Sequence, residues 1–332
     1  MTTECNFNCR HCCNDSGMKR EDNLTKMEIY NIIDQLQMLS VKRLGITGGE
    51  PLCDKNLFDY LKYAQKKIPT IVLATNGYLM EQNVITKLKS YNVNKVTVSL
   101  DGTKEFHDSF RGRKGAFEHA IKAIKLMVDA GMEVKVRSVI TKYNAKNILN
   151  LMDITNGFRI KRHEMLPVCP MGRTNKEMVL TSEEYKQFLI QAIAKIKSFN
   201  PPNIVFQLKP VFHQDDLFKA VNDDCREKSL TYNCDAFDTS MEIGSNGEVY
   251  GCSFVRIPVS NIREQGISSI WYSEEAIKLG NEIMNHNQIG ECAECADNAK
   301  CNGGCYANKL YGEGTDKKDI YCFVKRRKNH VQ

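Results

Sequence analysis

Strand-like and helix-like stretches alternate along the chain from residue 24 to about residue 196. Apolar residues recur at helical spacing in the longer stretches, for example at Ile29, Ile33 and Leu36. Five shorter apolar runs have the length of buried strands: residues 41–47, 70–74, 96–100, 134–140 and 158–166. Repeated strand–helix units joined by short turns require a parallel sheet covered by helices, so the sequence predicts an α/β fold.

The regular alternation ends at Pro201 and Pro202, and the irregular stretch that follows has the composition of a linker. Beyond it the chain is rich in glycine and cysteine and has only short strand-like segments, as expected of a small, loop-rich domain held together by metal. We therefore predict a first domain over residues 1–200, a linker or bridging region over 201–228 and a second domain over 229–332.

The chain has 14 cysteines in 332 residues, and most of them lie near its two ends. It shows no signal peptide and no apolar run of membrane-spanning length, so we expect a cytoplasmic protein, in which metal ligation explains cysteines better than disulfides do. The net charge of +6 is mild for 46 basic and 40 acidic residues, and the basic block at residues 325–328 is typical of a solvated terminus. Binding to nucleic acid or to a membrane is not expected.

Two motifs near the start of the chain indicate its chemistry. The first is C-x3-C-x2-C, formed by Cys5, Cys9 and Cys12. Three thiolates can hold a four-iron cluster and leave the fourth iron open to a small molecule. The second follows the first predicted strand and consists of Gly48, Gly49, Glu50 and Pro51. Its glycines allow the backbone to approach a ligand closely. A zinc site or unrelated thiols would explain the cysteines alone, but not the cysteines together with this turn.

Together, the two motifs resemble those of the radical S-adenosylmethionine (SAM) superfamily. The resemblance implies a partial (β/α)6 barrel, similar to a TIM barrel, and a [4Fe–4S] cluster on Cys5, Cys9 and Cys12. It further implies that SAM chelates the open iron, donates hydrogen bonds to residues 48–51, and is cleaved to methionine and a 5′-deoxyadenosyl radical. Only five strands follow the cysteine motif in our prediction, so we expect the missing strand to be the first one, truncated before Cys5.

Other strand ends provide further candidate SAM contacts, because active sites of such barrels collect there. Asn76, Ser99 and Asp101 stand at predicted strand ends, and the segment from Ser99 resembles the family segment near the SAM ribose and carboxylate. Arg137, inside a strand, could face the barrel interior and pair with a carboxylate. Each of these residues could equally be an ordinary capping or turn residue. Cys169 is expected near the top of the last strand and could face the cavity.

A second cysteine pattern fills the C-terminal region and resembles the SPASM extension of radical SAM enzymes. It reads Cys234-x12-Gly247-x4-Cys252, then Cys292-x2-Cys295-x5-Cys301-x3-Cys305, and finally Cys322. A zinc ribbon would explain the paired cysteines but not the whole set. The resemblance implies two auxiliary [4Fe–4S] clusters, hence three clusters in all. The first would be held by Cys234, Cys252 and Cys305, and the second by Cys292, Cys295, Cys301 and Cys322. Cys225 is the candidate fourth ligand of the first auxiliary cluster; without it, that cluster would have an open iron that could bind substrate.

Since SPASM proteins mostly modify peptides or proteins, the resemblance predicts a radical SAM oxidoreductase that matures a ribosomally synthesised peptide. The expected reaction begins with hydrogen abstraction and yields a crosslink, a thioether or another oxidation. The expected partners are the peptide or small-protein substrate, an electron donor such as flavodoxin or ferredoxin, and a separate leader-binding protein.

Three alternatives remain open. A haem-biosynthesis enzyme is one, because the run from His107 to Arg111 and the Gly-Gly-Cys sequence ending at Cys305 occur in that group too. An anaerobic sulfatase-maturating enzyme is another, although Ser253 stands where that group has a catalytic aspartate. The third is a non-enzymatic iron–sulfur carrier, which would have no use for the turn at residues 48–51.

Overall fold

A computed structural model describes residues 1–200, 202–208 and 234–324. Cys225, most of the predicted linker and the basic block at residues 325–328 lie outside the described residues.

The first domain is built on a sheet of six parallel strands that follow one another in sequence order. The strands are β1 (Arg43–Ile46), β2 (Thr70–Thr75), β3 (Lys95–Ser99), β4 (Glu133–Ile140), β5 (Arg162–Pro167) and β6 (Val205–Leu208). The helices are α1 (Lys26–Met38), α2 (Leu57–Ala64), α3 (Gln82–Ser90), α4 (Lys104–Arg111), α5 (Ala116–Asp129), α6 (Ala145–Asn156) and α7 (Ser182–Ser198). The predicted α/β fold is confirmed.

Buried and more exposed side chains alternate along the strands, and this pattern shows which face of the sheet the helices cover. In β4, Val134, Val136 and Ile140 are buried in the main apolar core, whereas Arg137 between them is exposed. The buried side chains face the helices, and the alternate ones line the other face of the sheet. The carboxyl ends of all six strands meet at one edge, where the functional residues were predicted.

The strand prediction needs one correction. All five predicted strands are present, but a sixth, Val205–Leu208, pairs in parallel with β5 inside the range that we assigned to the linker. Its buried Phe206 and Leu208 follow so soon after Pro201 and Pro202 that the prolines hid a short edge strand. The six strands of the sheet therefore all follow the cysteine motif.

The segment before Cys5 nevertheless lies where an additional strand would be expected. The carbonyl oxygens of Thr2 and Glu4 accept hydrogen bonds from the backbone of Gly49 (2.6 Å) and Glu50 (2.8 Å), just beyond the end of β1. These two bonds continue the edge of the sheet toward the cysteine loop.

The C-terminal region is irregular and built from short elements. Its antiparallel sheet contains β7 (Glu242–Ile243), β8 (Glu248–Tyr250) and β9 (Ser260–Asn261), and its helices are α8 (Ile267–Trp271), α9 (Glu274–Asn285), α10 (Gly290–Ala293), α11 (Asn298–Cys301) and α12 (Tyr306–Leu310). Gly247 forms the turn between β7 and β8 at φ +86°, and a Cβ there would lie 2.6 Å from the Asn261 side-chain oxygen. The glycine of the second cysteine pattern is thus required by this turn.

The C-terminal region packs on α1 of the first domain. Arg263 pairs with Glu28 at 2.5 Å, and the backbone nitrogen of Ile267 donates to the side-chain oxygen of Gln35 at 2.7 Å. Across the described ranges, no helix combines the length and the apolar character needed to cross a membrane.

Candidate functional site

The three N-terminal cysteines lie on one short loop and face one another. Cys9 is buried against Phe7, and Cys5 and Cys12 pack at the edge of the same small cluster. The pKa of Cys5 and of Cys9 is raised to about 11, mainly by burial, and the charge of Cys12 contributes to both shifts. The sulfur of Cys12 accepts a hydrogen bond from the backbone nitrogen of Ser16 at 3.4 Å. The loop therefore gathers three thiols that cannot all ionise without a positive partner.

The glycines of the turn at residues 48–51 make room for protein rather than for a ligand. A Cβ on Gly48 would lie 2.5 Å from the carbonyl oxygen of Thr2, and one on Gly49 would lie 2.1 Å from that of Glu4. Close approach was the predicted reason for the glycines, but here the approaching group is the N-terminal backbone. The turn thereby fixes the start of the cysteine loop against the sheet.

Glu50 points away from solvent and holds the neighbouring strand end. Its buried carboxylate accepts hydrogen bonds from the hydroxyl of Thr75 (2.7 Å) and the backbone of Asn76 (2.7 Å) and Leu52 (3.2 Å). Burial raises the pKa of Glu50, against the effect of these bonds. Pro51, also buried, begins the short 3-10 helix that follows. The carboxylate is thus a structural anchor for the second strand end.

Asn76 links that strand end to the cysteine loop. Its side-chain nitrogen donates to the side-chain oxygen of Asn6 at 2.8 Å, while its own side-chain oxygen accepts from the backbone of Tyr78. The side-chain nitrogen of Asn6 is buried and has no hydrogen-bond partner in the described structure. An unpaired donor beside the three thiols is a group that a polar ligand could satisfy.

Asp101 is buried beneath the cysteine loop and pairs with Arg111 and His11. Its carboxylate accepts hydrogen bonds from Arg111 Nε (2.8 Å) and Nη2 (2.6 Å), and His11 Nε2 lies 3.2 Å away. Although burial acts to raise the pKa of Asp101, Arg111 and His11 hold it below its usual value. Arg111 in turn places Nη1 3.9 Å from the sulfur of Cys9. Asp101 is thus connected to the thiol of Cys9 through Arg111.

The remaining candidates, Ser99 and Arg137, lie side by side on the uncovered face of the sheet. Arg137 is paired with Glu164 on β5, with Nη2 2.7 Å and Nε 3.1 Å from the same carboxylate oxygen. The predicted pairing of Arg137 with a carboxylate is therefore present, but the carboxylate belongs to the protein.

The C-terminal cysteines form two groups. In the first, Cys234, Cys252 and Cys305 border one apolar cluster; the charge of Cys305 raises the pKa of Cys234, and that of Cys234 raises the pKa of Cys252. In the second, the charges of Cys295 and Cys292 raise the pKa of Cys301, and that of Cys301 raises the pKa of Cys322. Burial is the largest cause of each shift. The assignment of these cysteines to two auxiliary clusters stays a prediction.

Lys309 and Asp319, which the sequence did not single out, connect the two groups. Lys309 is fully buried and places its ammonium nitrogen 3.2 Å from the sulfur of Cys292. Asp319, also fully buried, accepts a hydrogen bond from the backbone nitrogen of Cys305 at 2.8 Å and another from Tyr321, next to Cys322. No sequence motif indicates either residue, because their contacts with the cysteines depend on the tertiary structure and not on a fixed spacing in the sequence.

The donor sets fit iron–sulfur clusters better than single metal ions. Within residues 1–200, 202–208 and 234–324, no three histidine, cysteine or acidic side chains converge closely enough to hold one ion. A four-iron cluster spreads its ligands over separate iron atoms, so its thiols need not converge on one point. Sulfurs with backbone N–H or cationic neighbours, such as those of Cys9, Cys12 and Cys292, are suited to that role.

One segment joins the N-terminal loop to the C-terminal groups. Arg173, after β5, donates from its backbone to the carbonyl oxygen of Cys12 (3.0 Å) and from its side chain to that of Cys9 (2.9 Å). A Cβ on Gly172, which has φ +61°, would lie 2.4 Å from the same Cys12 oxygen. At the other end of the segment, the hydroxyl of Tyr321 donates to the carbonyl oxygen of Val168.

Comparisons with known proteins agree with this arrangement. A family model described as the radical SAM superfamily matches residues 1–154, and one described as an iron–sulfur cluster-binding domain, SPASM, matches residues 234–296. This chain is a radical SAM protein with a SPASM domain. Its domains imply [4Fe–4S] clusters and SAM binding, and they make it a radical SAM enzyme.

Similar proteins include members with different activities. An AdoMet-dependent heme synthase of Methanosarcina barkeri is 26% identical over 98% of this radical SAM chain and 95% of its own. The mycofactocin maturase MftC of Mycobacterium tuberculosis is 26% identical over 97% of this chain and 81% of its own. Among solved structures, Streptococcus suis SuiB bound to precursor peptide SuiA has a TM-score of 0.74 at 21% identity, covering 97% of this chain and 74% of SuiB. That likeness supports the fold.

Proposed function

We propose that this radical SAM enzyme modifies a ribosomally synthesised peptide by hydrogen abstraction followed by oxidation. The observation that carries the proposal is the segment from Val168 to Arg173, which touches both the N-terminal cysteine loop and the C-terminal region. A substrate at the strand ends would lie between a site that takes a hydrogen atom and a site that can take an electron. When bound, the cluster at the loop and SAM supply a 5′-deoxyadenosyl radical, and the auxiliary clusters supply an electron acceptor.

In this proposal the protein's own residues position the reactants. Cys5, Cys9 and Cys12 hold the SAM-binding cluster, and the seven cysteines from Cys234 to Cys322 hold the auxiliary clusters. Residues 48–51 present backbone groups toward SAM, while Asn76 keeps the unpaired amide of Asn6 beside the thiols. Ser99 and Arg137 lie further inside the sheet face and are proposed to contact SAM or substrate. A flavodoxin or ferredoxin is the proposed electron donor, and a separate protein is proposed to bind the peptide leader.

A peptide substrate is supported by the similarity to the mycofactocin maturase MftC and to SuiB, whose structure was solved bound to its precursor peptide SuiA. The sulfatase-maturating alternative receives no support from the site. Ser253, which stands at the position of that group's catalytic aspartate, donates its hydroxyl to Glu242.

The test is an anaerobic reaction with dithionite, SAM and a short peptide encoded beside the gene, followed by mass spectrometry. We expect 5′-deoxyadenosine, together with a peptide that has lost two hydrogen atoms or formed a crosslink. With the peptide deuterated at the reacting carbon, deuterium should appear in the deoxyadenosine. Cys9→Ala is the matched control and should give neither product. Deoxyadenosine without deuterium and without any change in the peptide would contradict the proposal.

Haem synthesis is the second candidate, because the heme synthase relative matches this chain over nearly the whole length of both proteins. In the same assay, an iron porphyrin with propionate side chains, Fe-coproporphyrin III, replaces the peptide. Loss of carbon dioxide from the porphyrin would favour this candidate over peptide modification.

A further inference from the structure

Cys169 belongs to neither cysteine pattern, yet the fold places it at the auxiliary site. It follows β5 at the carboxyl end of the strand, and its side chain is only 7% exposed. The backbone on both sides is fixed: Val168 donates to the carbonyl oxygen of Ile140 at 2.9 Å, and Met171 donates to that of Cys169 at 2.8 Å. The thiol is therefore held in one place by the first domain.

Its neighbours are the cysteines of the first C-terminal group. Cys169 is buried in the same apolar cluster that Cys234, Cys252 and Cys305 border. The ionisable groups that lie around its thiol are Cys305, Asp319, Cys13 and Cys252. Cys169 of the first domain thus shares one apolar site with the three C-terminal cysteines, with Cys13 also at its border. Thiols gathered in this way are the ligand type of a [4Fe–4S] cluster.

We propose that Cys169 is the fourth ligand of the auxiliary cluster held by Cys234, Cys252 and Cys305. The proposal rests on the proposed function in one respect, namely that this site binds an iron–sulfur cluster. A cluster so ligated has no open iron, and it connects the barrel to the SPASM domain through metal–sulfur bonds.

Cys13 is the other thiol near this site, and its surroundings differ. The charged groups that affect its pKa after burial are led by Cys12, followed by Arg256 and Glu242. Its sulfur also lies 3.8 Å from the side-chain oxygen of Asn14. Cys13 borders the same apolar cluster as Cys169, but Cys12 of the N-terminal loop leads the charged groups around Cys13, whereas Cys305 leads those around Cys169.

The test uses the full chain with Cys5, Cys9 and Cys12 all replaced by alanine, so that only auxiliary clusters load with iron. Mild oxidation by ferricyanide takes one electron from an incompletely ligated [4Fe–4S]2+ cluster. That cluster then releases one Fe2+ and becomes [3Fe–4S]+, which has a distinct electron paramagnetic resonance (EPR) signal. The parent should give no such signal. Adding Cys169→Ala should produce about one [3Fe–4S]+ spin per chain. Cys225→Ala should behave like the parent. Cys53, which ends the 3-10 helix that Pro51 begins and belongs to neither cysteine pattern, is the control, and Cys53→Ala should also behave like the parent.

Cys169→Ser separates ligation from packing, since its oxygen can still bind iron. If Cys169→Ala loses about four iron atoms per chain while Cys169→Ser keeps them, ligation is also supported. A [3Fe–4S]+ signal already present in the parent, or one produced by Cys225→Ala and not by Cys169→Ala, would overturn the proposal. If the parent binds no iron in its C-terminal region, the proposed function itself fails, which is a different result.

Discussion

Lys309 is a buried cation whose position bears on the electronics of the second auxiliary site. Its ammonium group donates to the sulfur of Cys292 and to the carbonyl oxygen of His286, both at 3.2 Å. Hydrogen bonds and positive charge at a ligand sulfur stabilise the reduced form of an iron–sulfur cluster, because reduction adds negative charge. Lys309 is therefore expected to raise the reduction potential at this site.

Lys309→Met tests that expectation, since methionine is apolar and similar in length. The midpoint potential of one auxiliary cluster should become more negative, as followed by EPR during a potentiometric titration. Lys317→Met is the control, because Lys317 is exposed and pairs only with Asp316 among the contacts described. Equal potentials in the Lys309 variant and the control would contradict this role.

The buried pair of Asp101 and Arg111 gives a second prediction. Asp101→Asn leaves the guanidinium of Arg111 buried without its carboxylate, which should cost about 3–5 kcal/mol of unfolding free energy and should weaken cluster binding at Cys9. Chemical denaturation of the apoprotein and iron content after reconstitution measure the two effects.

Arg137→Gln is the matched comparison, because its pair with Glu164 is half-exposed. It should cost about 0.2–1 kcal/mol. If Arg137→Gln also abolished SAM binding while leaving iron content intact, the predicted cofactor role of Arg137 would be supported. If Asp101→Asn were as mild as Arg137→Gln, the buried pair would not support the cysteine loop.

At the scale of elements, helix α1 carries the contact between the two regions. Glu28 caps its own helix through Thr25 and also receives Arg263 of the C-terminal region. The hydrogen bond from Arg263, with that from Thr25, lowers the pKa of Glu28 to about 2. A lowered carboxyl pKa stabilises the folded protein above about pH 4.5, and this contribution disappears as the pH falls toward 2.

Glu28→Gln should therefore lower the unfolding free energy at pH 7 by about 0.5–1 kcal/mol, and the difference should shrink at pH 3. Urea denaturation of the apoprotein at the two pH values measures it. Lys26→Met on the same helix breaks a surface pair with Asp59 that stays within the first domain. That control should leave the protection of α8 against hydrogen exchange unchanged, whereas Glu28→Gln should reduce it.

Periodicity was sufficient to predict five strands and most of the helices between them, because buried faces repeat regularly along the chain. It did not predict α4, whose only apolar residues are Phe106 and Phe110. It failed at β6, because a strand of four residues is too short to establish a period and this one comes soon after two prolines. The N-terminal cysteine loop could be located from the spacing of its three cysteines, because that motif is local in sequence. The partners of Asp101 and the neighbours of Cys169 could not be predicted, because those contacts join segments that are far apart in the sequence.

At the scale of the whole molecule, mutations in the two cysteine regions should affect different steps of the reaction. Cys9→Ala should abolish SAM cleavage, because the loop would keep only two of its three thiols. Cys301→Ala should retain some SAM cleavage and lose the modified product, since it changes only the C-terminal site. Chromatography of deoxyadenosine beside mass spectrometry of the substrate distinguishes them. Full product from Cys301→Ala would exclude an auxiliary role for that site.

The contacts of Arg173 also concern how the protein is made. Its side chain reaches Cys9 across 164 residues of sequence, and Tyr321 reaches Val168 across 153. During synthesis the N-terminal cysteines emerge first, but the residues that fix their loop emerge much later. We expect the newborn loop to stay open on the ribosome, so that iron delivery follows completion of the barrel.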